Sequence, residues 1–472
     1  MKVCFETIGC KLNQVESESL CANFKSYGFS IVPFKAARQE DVGLFIFNTC
    51  TVTSMAQQKA RRLIRLVAKN NDQAVLIISG CYAQLDRDEI ITLGKNIVVV
   101  TMEQKSKLMK LPFVLCELTV TSPKSLKESI VEFLNRKDEY DPFFFQALPN
   151  LNRFSSLPSL SQADLFDNFI HSRAMVKIQD GCNCRCNYCR IPLARGNSIS
   201  LSKSEVLERA KWFLDFGYRE IVLTGINISD WSAKDEYFAN LLYALANLVR
   251  AYKARIRLSS IEPHNLNEAL FEVLLDDAIV PHLHVAFQSF SNKVLQEMNR
   301  VALTDKIYLG LQSYKTKKGN PFLATDILCG FDGESNEDFL YTCKKIKEIG
   351  FAHLHVFPFS PREGTVSFVP KHPVPQRVRD ERALKLRELS QEGYCHYLKN
   401  EDGAICNLLI EGLSLLSNAN GDNITLVQGV SENYLRPQVV LKKDQKEKIV
   451  RGGIYPCKLT LLNEKLIGEL LI

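Results

Sequence analysis

The sequence predicts an α/β protein in which a doubly wound parallel sheet, an incomplete (β/α)6 barrel and a small all-β barrel follow one another. Three observations predict this order. Short apolar runs alternate with helical patterns over residues 2–100, a longer alternation begins at residue 171, and β-like runs separated by Gly and Asn turns occupy residues 404–472. Alternating strands and helices are typical of parallel sheets, whereas successive short strands are typical of small barrels.

The N-terminal alternation predicts three strands, at 3–9, 42–49 and 74–80, each followed by a helix. In the helix predicted over 53–69, one face is apolar and the other faces are basic. The apolar face consists of Ala56, Ala60, Leu63, Ile64 and Val67. Thr53 or Ser54 is expected to cap this helix, because both side chains can accept a hydrogen bond from a free backbone N–H.

The second alternation predicts six strands, at 174–179, 220–224, 255–259, 283–286, 322–328 and 352–356. A closed β/α barrel has eight such units, so six units predict an incomplete barrel. Active sites in β/α barrels lie at the C-terminal ends of the strands. A charged helix over 372–400 ends the series. The predicted segments are a sheet domain at 1–118, a connector at 119–170 whose aromatic run packs against the rest, a barrel at 171–400 and a β domain at 401–472.

Composition narrows the function classes. The chain has 472 residues, 46% hydrophobic and 24% charged, enough for two or three domains. No apolar run reaches the ~18 residues of a membrane helix, and the N-terminus begins as a strand rather than a signal peptide, so a cytoplasmic protein without membrane association is expected. A net charge of +6 permits nucleic-acid binding without requiring it. Fifteen cysteines in such a chain indicate metal, cluster or redox chemistry rather than disulfides.

Cys182, Cys186 and Cys189 form a C-x3-C-x2-C motif directly after the first barrel strand. Three thiolates on a tight loop can hold three irons of a [4Fe–4S] cluster and leave the fourth iron open to another ligand. The amino and carboxylate groups of a methionine moiety suit that iron. The alternatives are chance clustering and a structural zinc loop, which normally needs four protein ligands. Cys184 is interpreted as a spectator, because the spacing is complete without it.

A second cysteine set lies in the N-terminal sheet. Cys10, Cys50 and Cys81 each follow a predicted strand, at the point where it leads into a helix. In an open parallel sheet these positions converge on one crevice, and the helix N-termini there favour thiolates. The geometry predicts a second cluster with three protein ligands and an open iron. The alternative is that all three are small buried residues, a common situation for free cysteine.

Several sequence blocks, in a fixed order, resemble the methylthiotransferase family of radical S-adenosylmethionine enzymes over nearly the whole chain. GCKLNQ, NTCTVT and SGCYAQ resemble the family's cluster-binding domain. The central motif and the blocks LTGIN, RIRLSSIEP, HLHVAFQS, MNR, TDILCGFDGES and HVFPFSPREGT resemble its radical S-adenosylmethionine barrel, and the last β segment resembles its TRAM RNA-binding domain. GCKLNQ and NTCTVT are most similar to the branch that modifies threonylcarbamoyladenosine in tRNA.

The resemblance implies two [4Fe–4S] clusters and S-adenosyl-L-methionine as cofactors. It implies that the enzyme is a tRNA (N6-L-threonylcarbamoyladenosine-37 C2)-methylthiotransferase, in which one S-adenosylmethionine methylates sulfur at the N-terminal cluster and a second yields the 5′-deoxyadenosyl radical that activates the base. The expected substrate is an unstacked nucleotide of the tRNA anticodon loop. An electron donor and a sulfur source are further expected partners.

The same interpretation assigns expected roles to individual residues. Contacts to the cofactor are expected at strand ends, from Tyr188, Gly225, Asn227, Ser260, Glu262 and Gln288. For Tyr188 the alternative is simple packing. Candidate RNA contacts are Lys59, Arg61, Arg62, Arg65, Lys442 and Lys443. For the first four of these the alternative is a solvated helix face. Four histidines along apolar strands are interpreted as core or rim residues without a metal: His282, His284, His353 and His355.

The chain departs from the family pattern at three places. NSISLS follows ARG where further arginines are usual, Phe290 replaces a glycine, and Asp332 replaces a proline. The first is expected to weaken an RNA contact and the second to reshape the cofactor pocket.

The alternative functions are methylthio transfer to a ribosomal-protein aspartate and a non-enzymatic iron–sulfur RNA-binding sensor. The GCKLNQ block and the basic helix favour tRNA over protein, and the complete barrel blocks argue against a sensor.

Overall fold

The computed structural model describes residues 1–37, 40–51, 53–118, 122–136, 141, 143, 171–417, 423–442, 445 and 448–472. It confirms the predicted order of a parallel sheet, an incomplete barrel and a small closed barrel. The predicted connector lies mostly outside the described residues. From its aromatic run Phe143 is described, and its ring is buried in the core of the central barrel.

The N-terminal part is a five-stranded parallel sheet with the strand order β2-β1-β3-β4-β5. Its strands are β1 (Lys2–Thr7), β2 (Ser30–Pro33), β3 (Leu44–Thr49), β4 (Val75–Gly80) and β5 (Ile97–Val99). The helices of this part are α1 (Lys11–Ser26), α2 (Ser54–Asn70), α3 (Cys81–Leu85), α4 (Arg87–Ile91), α5 (Met102–Lys105), α6 (Leu111–Glu117) and α7 (Pro123–Asn135). The sequence analysis missed β2 and β5, because runs of four and three residues show no clear alternation.

The continuous apolar runs of β3 and β4 reflect burial on both faces of the sheet. Phe45 and Leu76 pack in the core on one face, and Ile46 and Ile77 pack in a separate core on the other. The sheet is therefore doubly wound, as predicted.

The basic helix α2 has the predicted cap and apolar face. The Thr53 hydroxyl accepts a hydrogen bond from the Ala56 amide at 3.1 Å. Ala60, Ile64 and Val67 are buried on the sheet, so the basic side chains point away from it.

All six predicted strands of the central barrel are present. The strands of this part are β6 (Ala174–Lys177), β7 (Gln179–Asp180), β8 (Ile199–Ser200), β9 (Glu220–Thr224), β10 (Ser232–Ala233), β11 (Glu236–Tyr237), β12 (Arg255–Leu258), β13 (His282–Gln288), β14 (Phe322–Cys329) and β15 (His353–Pro358). The parallel sheets β12-β9-β6 and β13-β14-β15 meet where Ile261 bridges Val285. The helices of this part are α8 (Ile191–Arg195), α9 (Lys203–Asp215), α10 (Phe238–Ala251), α11 (Glu268–Leu274), α12 (Asn292–Glu297), α13 (Asp305–Lys318), α14 (Asn336–Ile349) and α15 (Gln376–Asn400).

The C-terminal part is a closed five-stranded barrel with the order β16-β17-β18-β20-β19. Its strands are β16 (Ile405–Ser417), β17 (Asn423–Val430), β18 (Gln438–Val440), β19 (Ile454–Leu462) and β20 (Lys465–Leu470). The β-like runs predicted over residues 404–472 are confirmed as strands of this barrel.

Two arginines of the RIRLSSIEP block join the central and C-terminal barrels. Arg255 donates to the Asn407 carbonyl at 2.8 Å, and Arg257 donates to the Ser431 carbonyl at 2.8 Å. Both guanidinium groups also bind the buried Glu220 carboxylate at 2.6 Å. This block therefore fixes the C-terminal barrel to the start of the central strands.

Helix α1 of the N-terminal part packs against the central barrel strands. Val15 forms a small buried cluster with Met175 of β6 and Val222 of β9. The first cysteine-bearing segment is therefore held against the barrel strands. Among the described helices, none has the length and apolar character that crossing a membrane requires.

Candidate iron–sulfur and cofactor site

The three N-terminal cysteines lie at the carboxyl edge of the parallel sheet. Cys10 directly precedes α1, Cys50 directly follows β3, and Cys81 begins α3 directly after β4. A Cβ atom on Gly9, which has a φ of +139°, would lie 2.5 Å from the Cys50 Cβ. Only glycine allows this approach, so the Gly-Cys pair at 9–10 brings Cys10 next to Cys50.

Backbone contacts of the Cys81 loop place it beside the Cys50 loop. A Cβ atom on Gly80, with a φ of +96°, would lie 2.2 Å from the Thr49 carbonyl oxygen. Cys10 and Cys81 interact electrostatically. The side chains of Cys50 and Cys81 are buried, while Cys10 reaches solvent yet lies in a recess where desolvation raises its pKa. The predicted convergence of the triplet agrees with these contacts.

Two asparagines of the N-terminal blocks fix these loops. The Asn13 side chain donates to the carbonyls of Ile8 at 3.3 Å and Thr49 at 3.2 Å. The Asn48 side chain donates to the Asn13 carbonyl at 3.0 Å. The asparagines of GCKLNQ and NTCTVT are therefore structural, and they tie the first two cysteine loops together.

The central cysteines lie on the loop between β7 and α8. The Cys189 amide donates to the Cys186 carbonyl at 3.0 Å, which closes a tight turn, and all three predicted ligands are partly exposed. Burial raises the pKa of the Cys186 thiol and raises that of Cys189 to about 12. Without a metal, the Cys186 and Cys189 thiols are thus protonated near neutral pH, and binding a metal there must release protons. A hydrogen bond with Cys182, together with burial, raises the pKa of the Cys184 thiol.

The loops that carry the two cysteine triplets are in direct contact. Arg190, the residue after Cys189, donates to the hydroxyl of Thr51, the residue after Cys50, at 3.2 Å. Arg362, from the block after β15, donates to the Thr51 carbonyl at 3.0 Å and to its hydroxyl at 2.7 Å. Loops distant in sequence therefore meet at Thr51, which both arginines bind.

A buried charge network lies behind the N-terminal triplet. Arg195 contacts Glu16 at 3.2 Å and Asp180 at 3.0 Å, and Lys177 contacts Asp180 at 2.7 Å. Lys105 pairs with Glu16. Burial alone would raise the pKa of Glu16, but Lys105, Arg195 and Lys177 together hold it well below its usual value.

This network has one more cation than anions, and Arg195 interacts electrostatically with Cys81 and Cys10. Arg195 lowers the pKa of Cys10, but the larger effect of burial keeps that pKa above its usual value. The surplus positive charge of the network still suits an anionic metal centre.

The predicted cofactor residues Gly225, Asn227 and Glu262 lie close to the central triplet. A Cβ on Gly225 would lie 2.9 Å from the Gln179 carbonyl, and the Gln179 side chain accepts from the Asn227 amide at 2.9 Å. The Asn227 side chain lies 3.9 Å from the Cys184 sulfur. Glu262 pairs with Arg300, whose Nη1 donates to the Cys186 sulfur at 3.4 Å.

The other three predicted cofactor residues lie at the ends of barrel strands or, for Tyr188, between Cys186 and Cys189. Gln288 has a left-handed backbone with a φ of +65° at the irregular end of β13. Such a conformation is costly for a residue with a side chain and is typical of functional sites. Ser260 is partly exposed. The Tyr188 ring packs on Phe331 with 6.1 Å between centroids, as expected if packing is its role.

Comparison with known proteins agrees with this geometry. Residues 2–101 match the model described as "Uncharacterized protein family UPF0004", and residues 176–346 match that of the Radical SAM superfamily. The chain is 33% identical, over 90% of its length and 94% of the relative's, to the threonylcarbamoyladenosine tRNA methylthiotransferase MtaB of Treponema pallidum (strain Nichols). It is 33% identical, over 96% of its length and 94% of the relative's, to the Bacillus subtilis (strain 168) protein of that name.

The chain belongs to the methylthiotransferase family of radical S-adenosylmethionine enzymes. Enzymes of this family use S-adenosylmethionine and two [4Fe–4S] clusters, and so does this methylthiotransferase. A further relative, the tRNA-2-methylthio-N(6)-dimethylallyladenosine synthase of B. subtilis (strain 168), is 27% identical over 99% of this chain and 86% of its own length.

The fold of the methylthiotransferase is also similar to a solved structure. The radical S-adenosylmethionine methyltransferase TsrM from Kitasatospora setae, with cobalamin and a [4Fe–4S] cluster bound, superposes with a TM-score of 0.52 at 13% identity. The match covers 78% of this chain and 74% of that one. At this identity the similarity extends to the fold alone.

Several site residues of the methylthiotransferase were missed in the sequence. Arg300 is the arginine of the MNR block, and Arg195 is the arginine of the ARG block. A single arginine in a short block does not indicate which carboxylate it will pair with. Asp326 lies 3.0 Å from His284, and the His284 and His355 rings stack with 4.9 Å between centroids. The potential ligand atoms of these last three residues lie within 4.8 Å of one another. Strand register, which sequence spacing does not reveal, brings them together.

The predicted RNA contacts differ in how much charge they present. Lys59, Arg62 and Arg65 are exposed on α2. Arg61 pairs with Glu89 at 2.9 Å, and the exposed Lys442 pairs with Glu469 at 2.8 Å, so both present less charge. Lys443 lies outside the described residues.

Two of the departures from the family pattern have structural explanations. The Phe290 ring is 1% exposed and stacks on Phe287 with 4.7 Å between centroids, so it fills the hydrophobic core. Asp332 accepts hydrogen bonds from the amides of Lys371 at 2.7 Å and His372 at 2.6 Å. It therefore fixes the loop after β15.

Proposed function

We propose that this methylthiotransferase acts on tRNA and converts N6-threonylcarbamoyladenosine at position 37 to its 2-methylthio form. The observation that carries the proposal is the direct contact between the two cysteine-bearing loops, made by the Arg190–Thr51 hydrogen bond. Relatives at 33% identity that bear the threonylcarbamoyladenosine name support this substrate over the dimethylallyl one, whose named relative is 27% identical.

In this proposal Cys10, Cys50 and Cys81 hold one cluster, and Cys182, Cys186 and Cys189 hold the other. Both triplets leave one iron without a protein ligand, and the surplus positive charge around Arg195 fits the first of them. The bound cofactors supply sulfur, a methyl group and a carbon-centred radical, while the protein supplies orientation and excludes water. Cys184 stays a spectator in this proposal, although its thiol contacts Cys182.

The chain's own side chains then position the cofactor and the base. Arg300 orients Glu262 toward the central loop and donates to Cys186, so Glu262 can receive the methionine amine or a ribose hydroxyl. Gly225 and Asn227 leave room beside the same loop, and Ser260, Gln288 and the Tyr188 backbone border it. Arg190 binds Asp86, between α3 and α4, and Arg362 binds Gln57 of α2, so both arginines tie these loops to the N-terminal part.

We further propose four functional segments with the predicted boundaries. Residues 1–118 hold the first cluster, 119–170 connect, 171–400 form the radical barrel, and 401–472 bind RNA. Support for an RNA surface comes from the exposed Lys59, Arg62 and Arg65 on α2, which follows the Cys50 loop, because lysine and arginine neutralise phosphates. The anticodon loop of tRNA is the proposed partner, with an electron donor and a sulfur source.

Nucleoside analysis of tRNA from a deletion strain tests this function. Loss of 2-methylthio-threonylcarbamoyladenosine, restored by the wild-type gene and not by a gene carrying Cys10→Ala, is the expected result. An unchanged nucleoside profile with an altered ribosomal-protein mass would instead assign a protein substrate. The purified, reduced protein should also form 5′-deoxyadenosine from S-adenosylmethionine, and its absence would favour the sensor.

A further inference from the structure

Three polar side chains meet on the neighbouring strands β13, β14 and β15 of the central barrel. His284 Nε2 lies 3.0 Å from Asp326 Oδ1, and the His284 and His355 rings stack with 4.9 Å between centroids. One potential ligand atom from each of these residues lies within 4.8 Å of the other two. The group of His284, Asp326 and His355, called the strand triad below, therefore brings two imidazoles and one carboxylate to one point.

Strand register fixes the arrangement of the strand triad. Asp326 on β14 lies directly opposite His355 on β15, and His284 on β13 pairs with Ala324, two residues before Asp326. Residues two apart on a strand share a face, so all three side chains point to the same side of the sheet. Because rigid strands hold functional groups more precisely than loops do, the three side chains are preorganised.

The strand triad points into the lumen of the central barrel. Leu283 and Val285, the neighbours of His284, and Leu354, the neighbour of His355, pack in the core that the surrounding helices cover. Successive residues of a strand point to opposite faces, so the strand triad faces away from that core. His355 is exposed and the other two residues are partly exposed, so an ion with its water ligands can reach them.

The strand triad is joined to the central cysteine loop without sharing a residue with it. Arg300 Nη2 donates at 2.8 Å to the carbonyl of Ala286, two residues after His284 on β13. Arg300 Nη1 donates to the Cys186 sulfur at 3.4 Å. A ligand held by the strand triad would therefore be separate from both cysteine triplets.

The hydrogen bond between His284 and Asp326 does not use all the ligand atoms of the strand triad. Among the described residues, His355 makes ring contacts with His284 and His353 but has no hydrogen-bond partner. Two imidazoles and one carboxylate are a set that binds divalent first-row transition ions and leaves positions open. The 3.0 Å contact is also the separation of two ligands that lie about 2.1 Å from one ion at a right angle.

We propose that His284, Asp326 and His355 bind one divalent first-row transition metal ion, whose remaining positions take oxygen ligands in the lumen. Lys11 of α1 also acts electrostatically on His355, but more weakly than Asp326 does. The ion is therefore held by directional coordination rather than by a surplus of negative charge. This inference goes beyond the proposed function, because it adds a metal site to the two clusters.

Titration with Mn²⁺ tests the inference, because Mn²⁺ suits nitrogen and oxygen ligands better than thiolates. The cluster-loaded protein, oxidised and without RNA, is titrated while EPR measures the remaining free Mn²⁺. Wild-type protein should bind one Mn²⁺ per chain, and pulsed EPR of the bound ion should show imidazole nitrogen. Asp326→Asn and His355→Gln should bind at least tenfold more weakly, since even loss of an outer partner of a metal ligand costs about 10–100-fold. His396→Gln, exposed on α15, is the matched control and should bind as wild type does.

Iron content of each variant, measured in parallel, shows whether the clusters and the fold are kept. Mn²⁺ affinity that is undiminished in Asp326→Asn and His355→Gln would overturn the inference. A wild-type protein that leaves the free Mn²⁺ signal unchanged would overturn it as well, and so would bound Mn²⁺ without a nitrogen signal. If Asp326→Asn loses iron, the exposed His355→Gln and the nitrogen signal of wild type decide the question.

Discussion

The buried arginine Arg195 offers the sharpest test of how the N-terminal sheet and the central barrel are held together. Its side chain is fully buried and donates to Glu16 at 3.2 Å, to both Asp180 oxygens at 3.0 Å and to Asn13 at 2.9 Å. Asn13 in turn fixes the Cys10 and Cys50 loops. Replacing Arg195 with methionine therefore removes contacts on both sides of the interface at once.

The expected loss follows from the charges that remain. Breaking a buried ion pair by removing one partner costs about 3–5 kcal/mol. Lys105 and Lys177 still face Glu16 and Asp180 in the variant, so the network stays neutral rather than becoming anionic. We therefore expect Arg195→Met to lower the free energy of unfolding by about 3 kcal/mol, the lower end of that range.

Hydrogen exchange of the metal-free chain measures this loss where it occurs. Amides of β3 and β4 should exchange about a hundredfold faster in Arg195→Met, because 1.4 kcal/mol corresponds to a factor of ten. Arg195→Lys keeps the charge but not the forked donors, so its amides should exchange at a rate between those of wild type and Arg195→Met. The matched control is Arg62→Met on the exposed face of α2. Exchange in Arg195→Met that is as slow as in this control would refute the reasoning.

Three further predictions concern other parts of the chain. Burial raises the pKa of Glu18 to about 8, so protonation of its carboxyl stabilises the fold fully below pH 4.5, and this stabilisation is lost as the pH rises toward 8. Glu18→Gln should therefore be more stable than wild type at pH 8, by roughly 4 kcal/mol at most. In urea titrations near pH 4.5 the two proteins should be equally stable. The anaerobically reconstituted chain should hold about eight irons and about four after Cys10, Cys50 and Cys81 are all changed to alanine, measured by iron and sulfide analysis; retention of eight would exclude the N-terminal triplet as a cluster site. Arg257→Met should lower the free energy of unfolding of the C-terminal barrel by about 3–5 kcal/mol, read from limited proteolysis in urea, because the guanidinium lost there binds Glu220 and the Ser431 carbonyl.

The sequence by itself determined the elements that depend on local pattern. The strands β3, β4 and the six of the central barrel follow from apolar runs, and the Thr53 cap of α2 follows from residue type. The two cysteine triplets follow from spacing and from their places after strands, because parallel strands must end at one edge. Short elements such as β2 and β5 carried too few residues for a pattern and were missed.

Only the tertiary structure decided which distant side chains act together. Arg195 and Asn13 are 182 residues apart, and Arg190 and Thr51 are 139 apart, yet these contacts join the two cysteine-bearing regions. The proximity of His284, Asp326 and His355 depends on strand register, since Asp326 lies opposite His355. Nothing local marks such pairs, because charge partners are chosen by burial and by the packing of α1 on the barrel, which are properties of the folded chain.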